Sequence, residues 1–260
     1  MKRGYFTLCG SKNSIIRIFG RIEALSKAAA DLFEETARLS VASRGRFVVA
    51  LSGGRTPRNA YQLLAGTPYR ERIPWQQTYV FWGDERCVPR GDPNNNARMA
   101  FDTFLNYVPI PRSHIHPIPS EELPEKCADA YENLLRDFFQ DQAPRFDLIL
   151  LGLGEDGHTA SLFPNSVVLE EQNRWVRELY LPEQKMYRVT LTPLIINKAT
   201  RIAFLVQGAD KAHIVRQVLA GPLQPKHLPA QLIRPTEGDL QWLMDDSAAA
   251  GLQHGEVLEG

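Results

Sequence analysis

The chain has 260 residues, of which 43% are hydrophobic and 23% charged, with 30 Lys plus Arg against 30 Asp plus Glu. That length and apolar content suit a globular protein with a substantial core, built as one large α/β domain or two small ones. Balanced charge gives no global pull toward nucleic acid or an anionic membrane, and no apolar run approaches the ~20 residues of a bilayer span.

Residues 1–13 carry Lys2, Arg3 and Lys12 around a few apolar positions. They lack the sustained apolar core and small-residue cleavage site of a signal peptide and are read as an N-terminal extension. Cys9, Cys87 and Cys127 are scattered with no C-x-x-C pair, which fits reduced thiols in a cytoplasmic protein better than a disulfide framework.

Ser14–Phe19 reads as a first strand. Ile22, Leu25, Ala28, Ala29, Leu32, Phe33 and Leu39 then recur at helical spacing, giving an amphipathic helix of about five turns that Gly45 ends. Arg46–Leu51 is a second strand, and the β-α-β unit predicts a parallel pair with a right-handed crossover. Ser52-Gly53-Gly54-Arg55-Thr56-Pro57 follows directly. Thr56 suits a helix N-cap and Pro57 the first helical position, with the helix running through Leu64 to Gly66. The free amides of a glycine loop and a helix N-terminus would meet there, an arrangement that favours a phosphate. No Gly-Lys-Ser/Thr ending makes it a Walker loop, and taken alone the pattern also suits an ordinary strand-to-helix turn.

Thr78–Trp82 is a third strand, ending in Gly83-Asp84-Glu85-Arg86. Three charges at a strand's carboxyl end mark a solvated edge or a site, and the long polar stretch Val88–Asn96 favours a site. A short helix (Ala97–Leu105) and a proline-rich connection follow. His114 and His116 in that connection are too few for a metal centre, and Glu121–Gln140 is a helix.

Phe146–Leu151 is an apolar run short enough for a buried strand. Gly152, Gly154 and Gly157 let the backbone bend, Asp156 and His158 follow that strand, and the small residues beyond can start a helix. An imidazole and carboxylates at the carboxyl end of a strand stand where open α/β sheets bind ligands. Ordinary turn residues are the alternative on local sequence alone. The glycines formally spell the dinucleotide pattern G-x-G-x-x-G, but His158 directly follows the third, Pro164 interrupts, and Glu170-Glu171 precedes the next strand-like run instead of ending it.

Trp175–Leu181 and Tyr187–Leu191 are further strands, the second holding Arg188. A helical turn follows Pro193, and Arg201–Val206 is another buried strand. Gln207-Gly208-Ala209-Asp210-Lys211 opens a helix that runs to about Leu219. A lysine in a first turn opposes the helix dipole by a few tenths of a kcal/mol, so Lys211 is either solvated or faces a bound anion. Leu240–Met244 is a last strand, and residues 247–260 read as a tail with little order beyond a short helix. With no repeat or linker, residues 14–246 are expected to form one domain.

Ser52–Pro57, Trp82–Pro89, Gly152–Pro164 and Gly208–Lys211 together resemble the 6-phosphogluconolactonases, over roughly Ser14 to Asp246. The segment around His158 is the most specific, and Arg55 is a mild departure from the small polar residue common in that loop. The resemblance implies a three-layer α/β/α sandwich with a mostly parallel, Rossmann-like central sheet, related to glucosamine-6-phosphate isomerase/deaminase. It also implies hydrolysis of 6-phospho-D-glucono-1,5-lactone with no metal, nucleotide or other cofactor, and glucose-6-phosphate dehydrogenase as metabolic neighbour. No nucleic-acid or membrane partner is expected.

Residue chemistry agrees with such a reaction. Histidine, with an ordinary pKa of ~6.5, suits deprotonation of water, so His158 is the candidate general base. Asp156, or the Asp84/Glu85 pair, would orient the imidazole or the water, and Arg86 would hold the carbonyl region or its oxyanion. Ser52, Gly53, Gly54 and Thr56 would hold the phosphate, with positive charge from Lys211 and Arg188. No G-x-S-x-G elbow or activated cysteine is evident, which favours direct attack by water and leaves Cys87 as a residual covalent candidate. Two rivals share the fold. An isomerase or deaminase would use Asp84 as a carbon-proton base, but Thr159–Pro164 continues as in the lactonases. A non-catalytic sugar-phosphate sensor would not need Asp84, Glu85, Arg86 and His158 together.

Overall fold

The computed structural model describes residues 5–7, 14–140, 144–252 and 258–259. In chain order its elements are β1 (Tyr5–Thr7), β2 (Ser14–Phe19), α1 (Ile22–Arg44), β3 (Phe47–Leu51), α2 (Arg55–Leu64), α3 (Tyr69–Arg72), β4 (Thr78–Trp82) and β5 (Asp84–Arg86). There follow α4 (Asn96–Ala100), α5 (Pro124–Phe139), β6 (Leu148–Leu151), β7 (Val176–Leu181), β8 (Met186–Leu191) and α6 (Pro193–Ile196). The last are β9 (Arg201–Val206), α7 (Ala212–Ala220), β10 (Asp239–Asp245), α8 (Asp246–Ala249) and β11 (Leu258–Glu259). Among the described residues no helix is long and apolar enough to cross a membrane.

The main sheet has the order β11-β1-β2-β10-β9-β6-β3-β4. Its strands from β2 to β4 are all parallel, and the extension and tail add β1 and β11 antiparallel beyond β2. Cys9 lies outside the described residues. β2 and β3 are parallel, as expected, but they are not a pair, because β10, β9 and β6 lie between them. The connecting helix is long enough to allow the separation. At 23 residues α1 is roughly 35 Å long, well over the roughly 19 Å of four strand spacings. It ends at Gly45, whose φ of 74° lets its amide turn back to the Val41 carbonyl at 2.8 Å.

Strand pleating divides the helices between the two faces. Phe33 of α1 packs edge-on against Phe47 of β3 at 5.1 Å. Phe138 of α5 packs against Phe81 of β4 at 4.9 Å. Phe47 pairs with Thr78, and Phe81 is an odd number of residues further on, so it projects from the opposite face. Helices therefore cover both sides, and β3 and β6 are buried along their whole length, as parallel strands of a sandwich must be.

The exposed edge of β4 is closed by side chain and loop. The Tyr131 hydroxyl accepts from the Trp82 amide at 2.9 Å and donates to the Trp82 carbonyl at 3.1 Å. The His116 amide donates to the Val80 carbonyl at 2.8 Å. Backbone groups that would otherwise invite another strand are thus satisfied.

A second, three-stranded antiparallel sheet has the order β5-β8-β7. Gly83 alone separates β4 from β5, and it joins the sheets: its amide reaches Leu51 and its carbonyl receives Leu191, both at 2.8 Å. The strands expected around Leu181 and Leu191 thus belong to this separate layer. Because Tyr131 is the partner of both orphan groups of Trp82, Tyr131→Phe should lower stability by about 1–3 kcal/mol in urea unfolding. An unchanged midpoint and slope would show that the β4 edge does not depend on it.

Candidate active site

The carboxyl ends of β3, β4, β6 and β9 enclose a cleft of about 330 Å³. Ser52, Gly53, Gly54, Thr56, Asp84, Arg86, His158, Arg188 and Lys211 all line it, together with Arg55. Asp156 stands behind His158, and Glu85 points elsewhere.

The glycine loop is held from below: the Tyr61 hydroxyl accepts from the Ser52 amide at 3.1 Å and donates to the Ser52 carbonyl at 3.0 Å. Helix α2 begins earlier than expected. Gly54, at φ 100°, is the N-cap, so Thr56 lies within the first turn, and no side chain caps its amides. A left-handed glycine can turn the chain into the helix one residue sooner than a threonine could. The Ser52 hydroxyl is buried without a partner. A Cβ on Gly53 would stand 1.9 Å from Asn96 Oδ1, so the absence of a side chain there is what admits Asn96 to the site.

His158 depends on a similar vacancy. A Cβ on Gly154 would lie 2.0 Å from His158 Nδ1. The ring stacks on Phe163 at 4.1 Å, and its Nδ1 is 2.5 Å from Asp156 Oδ1, which also accepts the His158 amide at 3.1 Å. Burial raises the Asp156 pKa, but the hydrogen bond and charge of His158 outweigh it and hold the carboxyl below its usual range. The helix expected beyond His158 does not form. Thr159 donates to the Gly152 carbonyl at 2.8 Å, Ala160 takes a left-handed φ of 48°, and the Ser161 hydroxyl donates to Asp84 Oδ2 at 2.7 Å. These bonds draw the small residues into a closed loop in place of a helical turn.

Asp84 is buried, with Asn96 Nδ2 at 3.4 Å and Arg188 Nη1 at 3.9 Å besides Ser161. Arg86 and Arg188 are cross-strand partners on β5 and β8. Arg86 Nη1 donates to the Asn94 carbonyl at 2.6 Å, and Arg188 Nη2 donates to Gln184 Oε1. The Nε atoms of both arginines are buried without partners. Lys211 lies 3.6 Å from each of Glu155 and Asp210. Asn96, Ser161, Gln184 and Gln207 were not singled out by sequence. The run Asn94-Asn95-Asn96 in a long polar loop is the sequence signal for the first, and Ser161 lies inside the motif around His158.

Glu85, expected to orient the imidazole or the water, is not among the residues that line the cleft. Its Oε1 accepts the amides of Arg86 at 2.8 Å and Asn96 at 2.7 Å, and its Oε2 accepts Ala97 at 2.8 Å, so it caps α4. Cys87 lies outside the cleft lining, and burial pushes its thiol up to about 12, which removes the thiolate a covalent route would need. His114 and His116 stack on Tyr79 and Phe81 at 4.0 and 4.7 Å, as packing residues.

The glycine loop, Lys211 and the Asp156–His158 pair thus stand together at the carboxyl edge of a mostly parallel α/β sandwich. The sequence model of the family described as glucosamine-6-phosphate isomerases/6-phosphogluconolactonase matches residues 21–242, and the chain belongs to that family. A 6-phosphogluconolactonase of Synechocystis sp. is 44% identical over 218 residues, covering 82% of this chain and 88% of that protein. The solved 6-phosphogluconolactonase of Trypanosoma brucei has a TM-score of 0.84 at 30% identity, covering 94% of this chain and all of that one (100%). A monomeric glucosamine-6-phosphate deaminase shares the fold, with a TM-score of 0.78 at 23% identity over 91% of this chain and 99% of that one.

Burial drives the Glu85 carboxyl up to about 7 from 4.5, against its three amide donors and with some help from Asp84. Between those values the native chain holds a proton that the unfolded chain has released. The stability due to this group is therefore full below about pH 4.5 and lost as pH rises through about 7. Relative to Glu85→Gln, wild-type stability should fall by on the order of 3 kcal/mol across that window. A difference that stays flat in urea melts from pH 4 to 8 would show that folding does not shift this carboxyl's pKa.

Proposed function

We propose that the chain hydrolyses 6-phospho-D-glucono-1,5-lactone to 6-phosphogluconate, with His158 as the base that activates water. The observation that carries the reading is the Asp156–His158 contact at 2.5 Å, set in the same cleft as the glycine loop and Lys211. An ionised carboxylate can only accept, so Nδ1 bears the ring proton and Nε2 is left as the basic atom. Nε2 takes a proton from water as the oxygen bonds to the lactone carbonyl carbon. The carbonyl electrons move onto the oxygen, where the Arg86 guanidinium stabilises the charge. Collapse of that intermediate breaks the bond to the ring oxygen, which takes the proton back from Nε2. The carboxylic acid so formed then ionises.

Phosphate would rest on the amides and hydroxyls of Ser52, Gly53, Gly54 and Thr56, with Lys211 and Arg188 supplying charge. The relatives named 6-phosphogluconolactonase support this substrate over an amino sugar. So does Asp84, whose carboxylate is engaged by Ser161 and so is poorly placed as a free carbon-proton base. Supply of the lactone by glucose-6-phosphate dehydrogenase fits the same reading. The unpaired thiols of Cys87 and Cys127 support a reducing, cytoplasmic setting.

Acid release from lactone generated in situ, corrected for spontaneous opening, tests the proposal. Wild-type protein should accelerate it, and folded His158→Ala should lose about 10²–10⁴-fold in kcat. Acceleration that survives in the variant would move the base elsewhere, and no acceleration by wild type would direct the next assay to ammonia release from glucosamine 6-phosphate. Gly154→Ala should fold yet lose most of its kcat, since a methyl group would occupy the position of the imidazole. Wild-type turnover in that variant would show that the ring has another working position.

A further inference from the structure

Four polar side-chain atoms in residues lining the cleft are buried without a protein partner: Ser52 Oγ, Arg86 Nε, Arg188 Nε and Gln207 Oε1. The first three belong to residues already given to the phosphate and the carbonyl. Gln207 has no such role. It follows directly on β9, next to Leu205 and Val206, which also border the cleft. Its backbone is fixed, because the amide of Gly208 donates to both oxygens of Asp245, at 3.1 and 3.3 Å.

A buried amide oxygen with no donor destabilises a folded protein, and native structures hold few of them without a functional cause. A leucine would fill similar space without that cost. We propose that Gln207 is a specificity-determining residue that reads one ring hydroxyl of the substrate, an inference that rests on the lactonase reading above. A hydroxyl both donates and accepts, so it can satisfy the carboxamide oxygen that no protein group reaches. Sites that hydrogen-bond a substrate hydroxyl reject analogues lacking it far more strongly than apolar pockets reject a misfit.

The test compares wild type with Gln207→Leu on 6-phosphogluconolactone and on phosphorylated lactones each lacking one ring hydroxyl. The variant should melt at the same temperature as wild type or higher, because a buried unpaired group has been removed. Its kcat/KM for the full lactone should fall about tenfold or more. For one deoxy lactone, and only one, that loss should vanish, because the hydroxyl Gln207 reads is already gone. A loss equal across every lactone, no loss at all, or a lowered melting temperature would overturn the inference, the last by revealing a protein partner for the amide. Gln207→Met, of similar length and without the amide, is the second variant, and a lowered melting temperature counts against the inference only when both variants show it. Wild-type protein inactive on every lactone sinks the lactonase reading and this inference together, whereas an active wild type with an indifferent Gln207 sinks only the inference.

Discussion

Parallel strands leave their carboxyl ends at one edge of a sheet, and every part of the site depends on that single direction. Strands β9, β6, β3 and β4 are consecutive neighbours, so the loops after them converge although they are far apart along the chain. Ser52, Asp84, His158 and Lys211 meet for that reason. The strands beneath are almost wholly buried, which gives the loops a floor that does not shift with solvent. Gly83 extends the arrangement. By bonding to Leu51 of one sheet and Leu191 of the other, it sets the small antiparallel sheet at the rim of the cleft. Arg86 and Arg188 are side by side there because their strands pair at those two residues.

Polar groups around the cleft fall into two kinds, and the difference separates scaffold from contact surface. Glu85 accepts three amides, Asp84 is held by Ser161, and the Tyr61 hydroxyl is fully used by Ser52. Such groups fix geometry and have little capacity left for a ligand. Ser52 Oγ and the Nε atoms of Arg86 and Arg188 are buried and unmatched, an arrangement that a folded chain tolerates where a ligand completes it. Asn96 links the two kinds: it begins the helix that Glu85 caps, reaches Asp84, and occupies the space that Gly53 leaves open.

Strand positions were legible in the sequence because buried parallel strands are short, continuous apolar runs. Ser14–Phe19, Thr78–Trp82 and Arg201–Val206 have the bounds their composition suggests. Strand order was not legible. Nothing in a local pattern tells a helix as long as α1 to return its chain beside β2 or four places away, and the strands that fill the gap come from the later part of the chain. The residues of the cleft were legible where motif and position agreed, at Ser52–Thr56, His158 and Lys211. Glu85 is engaged by backbone amides, those of Asn96 and Ala97 in α4 and that of Arg86, and such bonds carry no sequence signature. The helix expected beyond His158 misled because small residues permit a helix without requiring one, and the hydroxyls of Thr159 and Ser161 found better partners in Gly152 and Asp84.

Lys211 shows how a cleft can keep a charge in position without saturating it. It sits at the N-terminal end of α7, where the helix dipole disfavours a cation. Two carboxylates lie near it, but at 3.6 Å each is beyond good hydrogen-bond length. Glu155, one of the two, is largely exposed and therefore screened by solvent. Such partners hold the ammonium over the cleft while leaving its three donors poorly used. A phosphate dianion arriving at the uncapped amides of α2 would offer shorter, charge-assisted bonds and would also reverse the unfavourable field of α7. On the proposed reading, loop, lysine and helix ends that are each suboptimal alone would become mutually consistent with one anion in the space among them.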